Sequence, residues 1–332
     1  MASEDSPTKD SLPEEPLAAE AEGLDLPREP SAAETEGLDL PREPSAPEAE
    51  GLDLKKHSLL RDKVVLITGA AGGIGRAIAQ RFSEEGAQLM LVDRGTDRLG
   101  ANSDPTRVDA LATELGAAGM ALDLAEAGQP SAAVAETVRR FGRLDAVVSS
   151  AGYLLERSLL RSETEELRAF FRLHVEAPFE LAQATARHLV ERKAGGSLVL
   201  LASPSAYFGT ARRSGEAAAA AAVFGLARST AVELRRHGIR VNALAVTART
   251  RLTEEQPTFQ RIRRGSMEAE HVAPVALFLA SDLATDVHGE VIGVAGGRLY
   301  GFNTRETTGA FTSGEPMEPE EIRTRWTEIV RG

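Results

Sequence analysis

A glycine-rich turn is the feature of this sequence that most restricts the fold it can adopt. Between an apolar run and an amphipathic stretch of helical periodicity, the chain reads Thr68-Gly69-Ala70-Ala71-Gly72-Gly73-Ile74-Gly75. Glycine permits the tight turn that this spacing requires, and it lets another group approach the backbone closely. The free N–H groups at the start of the following helix attract an anion. The motif predicts a strand, a turn and a helix that bind a pyrophosphate through Thr68, Gly69, Gly73, Ile74 and Gly75.

The pattern of apolar runs after residue 58 predicts the rest of the architecture. Short apolar runs alternate with longer amphipathic stretches, as in a parallel sheet covered by helices on both faces. The predicted strands are residues 63–68, 88–93, 119–122, 144–149, 197–202, 239–244 and 291–294. The predicted helices include residues 74–85, 131–141, 164–191, 216–236 and 268–281. We expect an α/β fold with a doubly wound, parallel, seven-stranded sheet of the Rossmann type, in a single domain at 58–332 whose residues from about 296 to 332 form a C-terminal extension.

The first 57 residues differ in composition from the rest of the chain. They contain 16 Asp and Glu residues against 5 Lys and Arg residues, and so carry most of the net charge of −12. The sequence Gly-Leu-Asp-Leu occurs at residues 23–26, 37–40 and 51–54. Such a segment, rich in Pro, Glu and Ala, buries too little apolar area to offset the entropy cost of ordering its backbone. We expect residues 1–57 to be a disordered acidic repeat tail, either a multivalent docking segment or a solubilising extension.

Composition argues against several classes of function. The chain has no cysteine and its six histidines are scattered, so we expect no metal centre. Its acidic balance lacks the cationic footprint that nucleic acid requires. The sequence begins with an acidic, Pro-rich segment, and it shows no evident apolar run near the roughly 20 residues that span a bilayer. These features predict a cytoplasmic protein without a nucleic-acid or membrane partner.

An acidic residue ends the second predicted strand. Asp93 lies 18 residues after Gly75, about the separation at which a carboxylate accepts hydrogen bonds from the ribose hydroxyls of a dinucleotide. Its charge would repel the additional phosphate of NADP, so NAD is the expected cofactor. Arg94 follows directly and offers a cation to that phosphate, which leaves NADP as the less favoured alternative.

These motifs resemble the short-chain dehydrogenase/reductase family, and the resemblance extends from about residue 63 to the C-terminus. The matching positions include the family's adenine-side contact and its close backbone approach to the cofactor, at Asp123, Leu124, Ala151 and Gly152. The family usually has asparagines at positions 149 and 150, where this chain has serines. The resemblance implies that nicotinamide dinucleotide is bound, with weaker affinity because of the two serines.

Within the family, the chain resembles the hydroxyacyl-CoA dehydrogenase domain of peroxisomal multifunctional enzyme type 2. The similarity rests on a long loop at residues 95–106, on residues 174–179, and on residues 296–300 leading to Trp326. It implies an acyl-CoA or carrier-bound substrate, and a homodimer or a heterodimer with another subunit of the family. The region that forms the family's lid is rich in arginine, at Arg249, Arg251, Arg261, Arg263 and Arg264. These arginines suit a phosphate-bearing carrier or an acidic tail, and an amphipathic surface helix accounts for them equally.

The family's catalytic residues are a serine after the fifth strand, a tyrosine thirteen residues later, and a lysine four residues beyond the tyrosine. An ungapped alignment of the fifth strand and the following helix places Ser203, Glu216 and Ala220 at these positions. A glutamate side chain has an ordinary pKa of about 4.3 and a tyrosine one of about 10, so glutamate does not hold the proton that the family's tyrosine donates. The resemblance therefore implies that ordinary hydride transfer is very slow.

Three functions remain open at this point. The first is an NAD(P)-binding, non-canonical or inactive oxidoreductase homologue in acyl thioester or polyketide-type metabolism. The second is a repurposed non-redox enzyme, an isomerase, dehydratase or cyclase, in which Glu216 moves protons beside Ser203 and His174. The third is an active NAD-dependent hydroxyacyl dehydrogenase or ketoreductase with a displaced proton donor, for which Tyr207 is a candidate.

Overall fold

The computed structural model describes residues 58–331, in which strands and helices alternate along the chain. The strands are β1 (Val64–Thr68), β2 (Gln88–Val92), β3 (Ala118–Met120), β4 (Ala146–Ser149), β5 (Gly196–Ala202), β6 (Ile239–Thr247), β7 (Val291–Ala295) and β8 (Arg298–Gly301). The first seven strands are parallel to their neighbours, and β8 is antiparallel to β7. The predicted doubly wound parallel α/β sheet is confirmed, and the structure adds an eighth strand at its edge.

The helices differ from the predicted ones in several places. They are α1 (Gly73–Glu84), α2 (Thr106–Leu115), α3 (Gln129–Phe141), α4 (Thr164–Phe171), α5 (Ala177–Glu191), α6 (Ser214–Leu234), α7 (Pro257–Arg261), α8 (Ala273–Ala280), α9 (Pro319–Thr324) and α10 (Trp326–Arg331). Helices α2, α7, α9 and α10 were not among the predicted helices. A π-helical segment, Arg172–Glu176, interrupts the helix predicted over 164–191. The helix predicted over 268–281 begins as a 3₁₀ turn before α8.

The order of the strands fixes the edge of the sheet at which a ligand binds. The order is β3-β2-β1-β4-β5-β6-β7-β8, so the chain first runs outward from β1 and then returns to place β4 on the other side of β1. Ligands of doubly wound sheets bind at such a reversal, beyond the carboxyl ends of the strands. Here those ends are Thr68 and Ser149, which are paired in the sheet.

The apolar core lies on both faces of the sheet. On one face, Phe82 of α1 is buried with Ile67 of β1 and residues of α8. On the other face, Leu66 of β1 is buried with Leu181 of α5 and residues of α3. Because successive side chains of a strand point to opposite faces, a strand covered on both sides is apolar throughout. The sequence Val-Val-Leu-Ile in β1 satisfies this requirement.

Helix α6 is rich in alanine and has one buried and one exposed face. Phe224 and Ala227 are buried in the cluster formed with β5 and β6, whereas Ala218 and Val232 are exposed. The segment Ser214–His237 is long and apolar enough to cross a membrane by length and composition alone. The expectation that no apolar run approaches this length is therefore wrong for this segment.

The C-terminal extension begins with the added strand. Gly296 has a φ of +58°, in the left-handed region that favours glycine, where the chain reverses from β7 into β8. The residues of β8 are exposed or half-buried, so the sequence there lacks the apolar run that marks the other strands. The acidic repeat tail predicted at residues 1–57, and residue 332, lie outside the described residues.

Candidate active site

The glycine turn packs directly against the end of β4. Gly69 has a φ of +65°, and a Cβ at this position would lie 2.6 Å from the carbonyl oxygen of Ser150. A Cβ on Gly75 would collide with the carbonyl oxygen of Gly69. Glycine is thus required at position 69 for its backbone conformation and at both positions for close approach.

Helix α1 begins at this turn, beside a cleft of about 360 Å³. Among the described residues, no side chain caps the helix at Gly72, and its first turn contains no acidic residue. The first N–H groups of α1 are therefore available to an anion, which the helix dipole also favours. The lining of the cleft includes Gly69, Gly73, Ile74, Gly75, Asp93, Asp123, Leu124, Ala151 and Gly152. Every predicted cofactor-binding residue except Thr68 lines this one cleft.

Thr68 and Ser150 join β1 to β4 beneath the cleft. The Ser150 N–H donates to Thr68 Oγ1 at 3.2 Å, and Ser150 Oγ donates to the Thr68 carbonyl oxygen at 2.6 Å. Thr68 is fully buried, so its contacts are structural. The serine at position 150 thereby fixes the chain that leads to Ala151 and Gly152 in the cleft wall.

Asp93 presents its carboxylate at the end of β2. Oδ2 accepts a hydrogen bond from the Ala71 N–H at 2.9 Å, and Oδ1 accepts one from the Gly95 N–H at 2.6 Å. A carboxylate has about four acceptor positions, so each oxygen keeps capacity for a further donor. The arrangement suits a pair of neighbouring hydroxyl groups.

His174 lies in the π-helical segment and packs against aromatic residues. Its ring stacks on Phe170 with the centroids 3.8 Å apart, and its Nε2 accepts a hydrogen bond from the Tyr153 N–H at 3.2 Å. A Cβ on Gly152 would lie 2.6 Å from the imidazole Cε1. Desolvation by burial lowers the pKa of His174 to about 4, so the ring is neutral at pH 7 and accepts at Nε2. His174 therefore holds the backbone of Gly152 and Tyr153 beside the cleft.

The variant His174→Asn is expected to remove a pH dependence of stability. In the unfolded chain the imidazole has its usual pKa of 6.5, and in the folded protein the pKa is about 4. As the pH falls below 6.5 the unfolded state binds a proton that the folded state does not bind, so this contribution to the free energy of unfolding decreases. The loss from about pH 7.5 to about pH 5 is about 2 kcal/mol. Urea unfolding of wild type and variant at both pH values measures it, and equal losses in the two proteins would contradict a buried neutral imidazole.

The residues at the three predicted catalytic positions lie where β5 meets α6. Ser203 directly follows β5, and its Oγ accepts a hydrogen bond from the Ser205 N–H at 3.2 Å. Glu216 lies in the first turn of α6, and Ala220 lies one turn further along and is buried. Ser205 Oγ also donates to Glu216 Oε1, at 3.5 Å. The structure thus brings Ser203 and Glu216 to one place through Ser205, with only a methyl group at position 220.

An ion-paired arginine accompanies this carboxylate. Arg213 donates from its guanidinium to Glu156 Oε1, with Nε at 3.0 Å, and its Nη1 lies 3.7 Å from Glu216 Oε1. The side chains of Arg213 and Glu216 are only 17% and 13% exposed, so solvent screens this pair less than a surface pair. Glu216 Oε2 is buried and has no hydrogen-bond partner among the described residues. Glu156 was missed by the sequence analysis, because it lies 57 residues from Arg213 and belongs to no recognisable motif.

Two other predicted residues, His174 and Tyr207, form their hydrogen bonds with groups other than this carboxylate. Among the described residues, no hydrogen bond or ion pair joins His174 to Glu216. Tyr207 stacks on Phe302 with the centroids 4.2 Å apart, and its hydroxyl accepts a hydrogen bond from Arg228 at 3.1 Å. The phenol of Tyr207 is thus held by residues of α6 and the C-terminal extension.

The lid arginines divide into one structural residue and four exposed ones. Arg249 Nη2 donates to the carbonyl oxygens of Phe259 at 2.6 Å and Ile262 at 2.7 Å, and so holds the C-terminal half of α7. The exposed arginines are Arg251, Arg261, Arg263 and Arg264. Only these four are available to an external anion.

Two loops contribute residues to the wall of the cleft. Leu99 lies in the loop after β2 and Leu252 in the loop after β6, and both line the cleft. An ion pair between Arg98 and Glu255 joins the two loops. Within the described residues, the lining of the cleft does not include Ser203 or Glu216. The glycine turn and the carboxylate therefore belong to separate parts of the site in this conformation.

Comparison with known protein families and sequences finds clear matches. A family described as enoyl-(acyl carrier protein) reductase matches residues 69–298. Peroxisomal multifunctional enzyme type 2 of Mus musculus is 31% identical over 273 residues, covering 80% of this chain and 36% of that protein. The 3-oxoacyl-[acyl-carrier-protein] reductase of Thermotoga maritima is 33% identical over 251 residues, covering 72% of this chain and 98% of that protein. The chain thus spans about a third of the mouse enzyme and nearly the whole bacterial one.

Comparison with solved structures also finds proteins of similar fold. A short chain dehydrogenase from Mycobacterium avium superposes with a TM-score of 0.71 at 27% identity, covering 82% of this chain and 96% of that one. A carveol dehydrogenase from Mycobacterium avium, solved in complex with NAD, has a TM-score of 0.63 at 26% identity, covering 71% and 96%.

Proposed function

The chain belongs to the short-chain dehydrogenase/reductase family, and from this premise we propose that it binds a nicotinamide dinucleotide but does not catalyse the family's ordinary hydride transfer. The family binds nicotinamide dinucleotide, which supplies or accepts the hydride when bound. The glycine turn, the open N-terminus of α1 and the carboxylate of Asp93 support binding in this chain. We therefore expect this chain to bind the cofactor without catalysing hydride transfer.

The observation that carries the proposal is the ion pair between Glu216 and Arg213 in the first turn of α6. Reduction of a carbonyl group requires a proton donor beside the developing oxyanion. A glutamate side chain is ordinarily a far poorer proton holder than the tyrosine phenol of the family, and here the nearest cation, the Arg213 guanidinium, donates its hydrogen bonds to Glu156. The methyl group of Ala220 adds no cation in compensation. Loss of such electrostatic stabilisation commonly lowers the rate by about 10²–10³.

The cofactor expected in this site is NAD. Asp93 lines the cleft with free acceptor capacity, which suits the two ribose hydroxyls and disfavours a 2′-phosphate. The carveol dehydrogenase neighbour, solved with NAD, is consistent with this preference.

An acyl thioester is the ligand class that the comparisons favour. The Thermotoga maritima relative is named for a 3-oxoacyl group on acyl carrier protein. The exposed arginines between β6 and α8 offer guanidinium groups to the phosphate of such a carrier.

The exposed residues Phe179 on α5 and Val232 on α6 support association with a second family subunit, either another copy of this chain or a catalytically active relative.

Calorimetry and a turnover assay together test the proposal. Titration with NADH is expected to show saturable binding at one site per chain. The same preparation is expected to oxidise 3-hydroxyacyl thioesters with NAD⁺, or reduce 3-ketoacyl thioesters with NADH, far below the roughly 1–10³ s⁻¹ of ordinary enzymes. Turnover in that range would contradict the loss of catalysis, and the absence of binding would contradict the retained cofactor site.

A second function is favoured by the free oxygen of Glu216. Glu216 Oε2 is buried without a partner among the described residues, and an unsatisfied buried acceptor costs about 1–3 kcal/mol. A substrate hydroxyl that donates to this oxygen would remove that cost, and the carboxylate would then act as a base in an isomerisation or dehydration. A product of unchanged redox state, formed by wild type and lost in Glu216→Gln, would establish this function. Equal product from both proteins would contradict it.

A further inference from the structure

An ion pair between Arg94 and Asp123 lies in the cleft, where the chain leaves strands β2 and β3. Arg94 Nη1 donates to Asp123 Oδ2 at 2.7 Å. Both residues line the cleft together with Asp93. The guanidinium of Arg94 is therefore already engaged by a carboxylate, and the side chains of Asp93, Arg94 and Asp123 together carry one net negative charge.

Hydrogen bonds on both sides hold the partners of this pair. Asp123 Oδ1 accepts a hydrogen bond from the Ala125 N–H at 3.0 Å, so the carboxylate is oriented with Oδ2 toward the arginine. Ser103 Oγ donates to the Arg94 carbonyl oxygen at 2.8 Å. The backbone at Arg94 and the carboxylate of Asp123 are thus each held by a hydrogen bond, and the guanidinium of Arg94 connects them.

The pair affects the two dinucleotides differently. The 2′-hydroxyl of NAD needs only an acceptor, which Asp93 supplies. The 2′-phosphate of NADP needs a cation, and binding it would require Arg94 to leave Asp123 while the phosphate approaches two carboxylates. The cost of that rearrangement falls on NADP alone.

On the basis of the proposed dinucleotide binding, we infer that Asp123 is a specificity-determining residue, which maintains the preference for NAD by holding Arg94 in an ion pair. Its effect is separate from that of Asp93, which acts by repelling the phosphate directly. Arg94 is thus a residue suited to NADP, and its charge is neutralised by Asp123 in the loop after β3.

The variant Asp123→Asn tests the inference. Asparagine keeps an acceptor for the Ala125 N–H but turns an amide NH₂ toward Arg94, which cannot accept from it. The ratio of the NADPH dissociation constant to the NADH dissociation constant is expected to fall about 10-fold. Isothermal titration of the full chain with each dinucleotide measures this ratio, in which any common effect on the adenine ring cancels.

Two further variants make the test specific. Glu114→Gln removes a carboxylate that pairs with Arg76 at 2.5 Å outside the lining of the cleft, and it is expected to leave the ratio unchanged. Adding Arg94→Gln to Asp123→Asn is expected to abolish the gain. A ratio that moves equally in Glu114→Gln, or a gain that persists without Arg94, would overturn the inference while NADH binding still supports the proposed function. Binding of neither dinucleotide to wild type would overturn both.

Discussion

Replacing Glu216 by tyrosine and Ala220 by lysine together is expected to raise NADH-dependent reduction of a 3-ketoacyl thioester at least about 100-fold over wild type. The two positions lie one turn apart in α6, so the lysine ammonium stands beside the phenol and lowers its pKa. The phenol then occupies the position from which the family's tyrosine donates its proton. The initial rate of NADH consumption at saturating substrate measures the gain.

A matched variant controls for the added charge. Ala218 lies on the same helix but is exposed, so Glu216→Tyr with Ala218→Lys carries the same side chains with the lysine directed to solvent. This protein is expected to stay near the wild-type rate. Equal rates in the two double variants would contradict the assignment of positions 216 and 220 to the lost catalytic pair.

Gly75→Ala is expected to weaken NADH binding about 100-fold, which corresponds to about 2.7 kcal/mol. The new Cβ collides with the carbonyl oxygen of Gly69, so the turn must open and its N–H groups lose their alignment on the pyrophosphate. Because the obstacle is backbone and not a mobile side chain, the free energy of unfolding is also expected to fall, by about 1–3 kcal/mol. Calorimetric titration and urea unfolding measure the two effects.

Gly225→Ala is the control for this change. Gly225 lies in α6, and a Cβ there meets nothing within 4 Å. Alanine in a helix interior is more stable than glycine by about 0.5–1 kcal/mol, so this variant is expected to be slightly stabilised with unchanged NADH affinity. Wild-type affinity in Gly75→Ala would show that the turn does not hold the dinucleotide.

The parts of the site that are local in sequence were predictable. The geometry of the turn from Thr68 to Gly75 could be predicted because the spacing of its glycines is set by contacts within a few residues. Asp93 follows from the same unit, since a strand that ends beside the turn must place its last residue at the cleft. The strand predictions agree to within a few residues because buried parallel strands are continuous apolar runs.

The parts that depend on distant segments were not predictable. Glu156 meets Arg213 only because the chain after β4 folds over the start of α6. His174 in the π-helical segment contacts Phe170 and Tyr153, and the helical periodicity of residues 164–191 does not reveal the interruption of the helix. Strand β8 is short and exposed, so it has no apolar signature.

The wild-type chain under single-turnover conditions tests the central claim most directly. With the protein in excess over NADH and a 3-ketoacyl thioester added at saturation, the account predicts that NADH is bound, as its fluorescence reports, yet remains unoxidised over many minutes. Oxidation of the bound NADH at about 1 s⁻¹ or faster, the range of ordinary enzymes, would contradict the account, because hydride transfer would then proceed with the Glu216 carboxylate and the Ala220 methyl group in place.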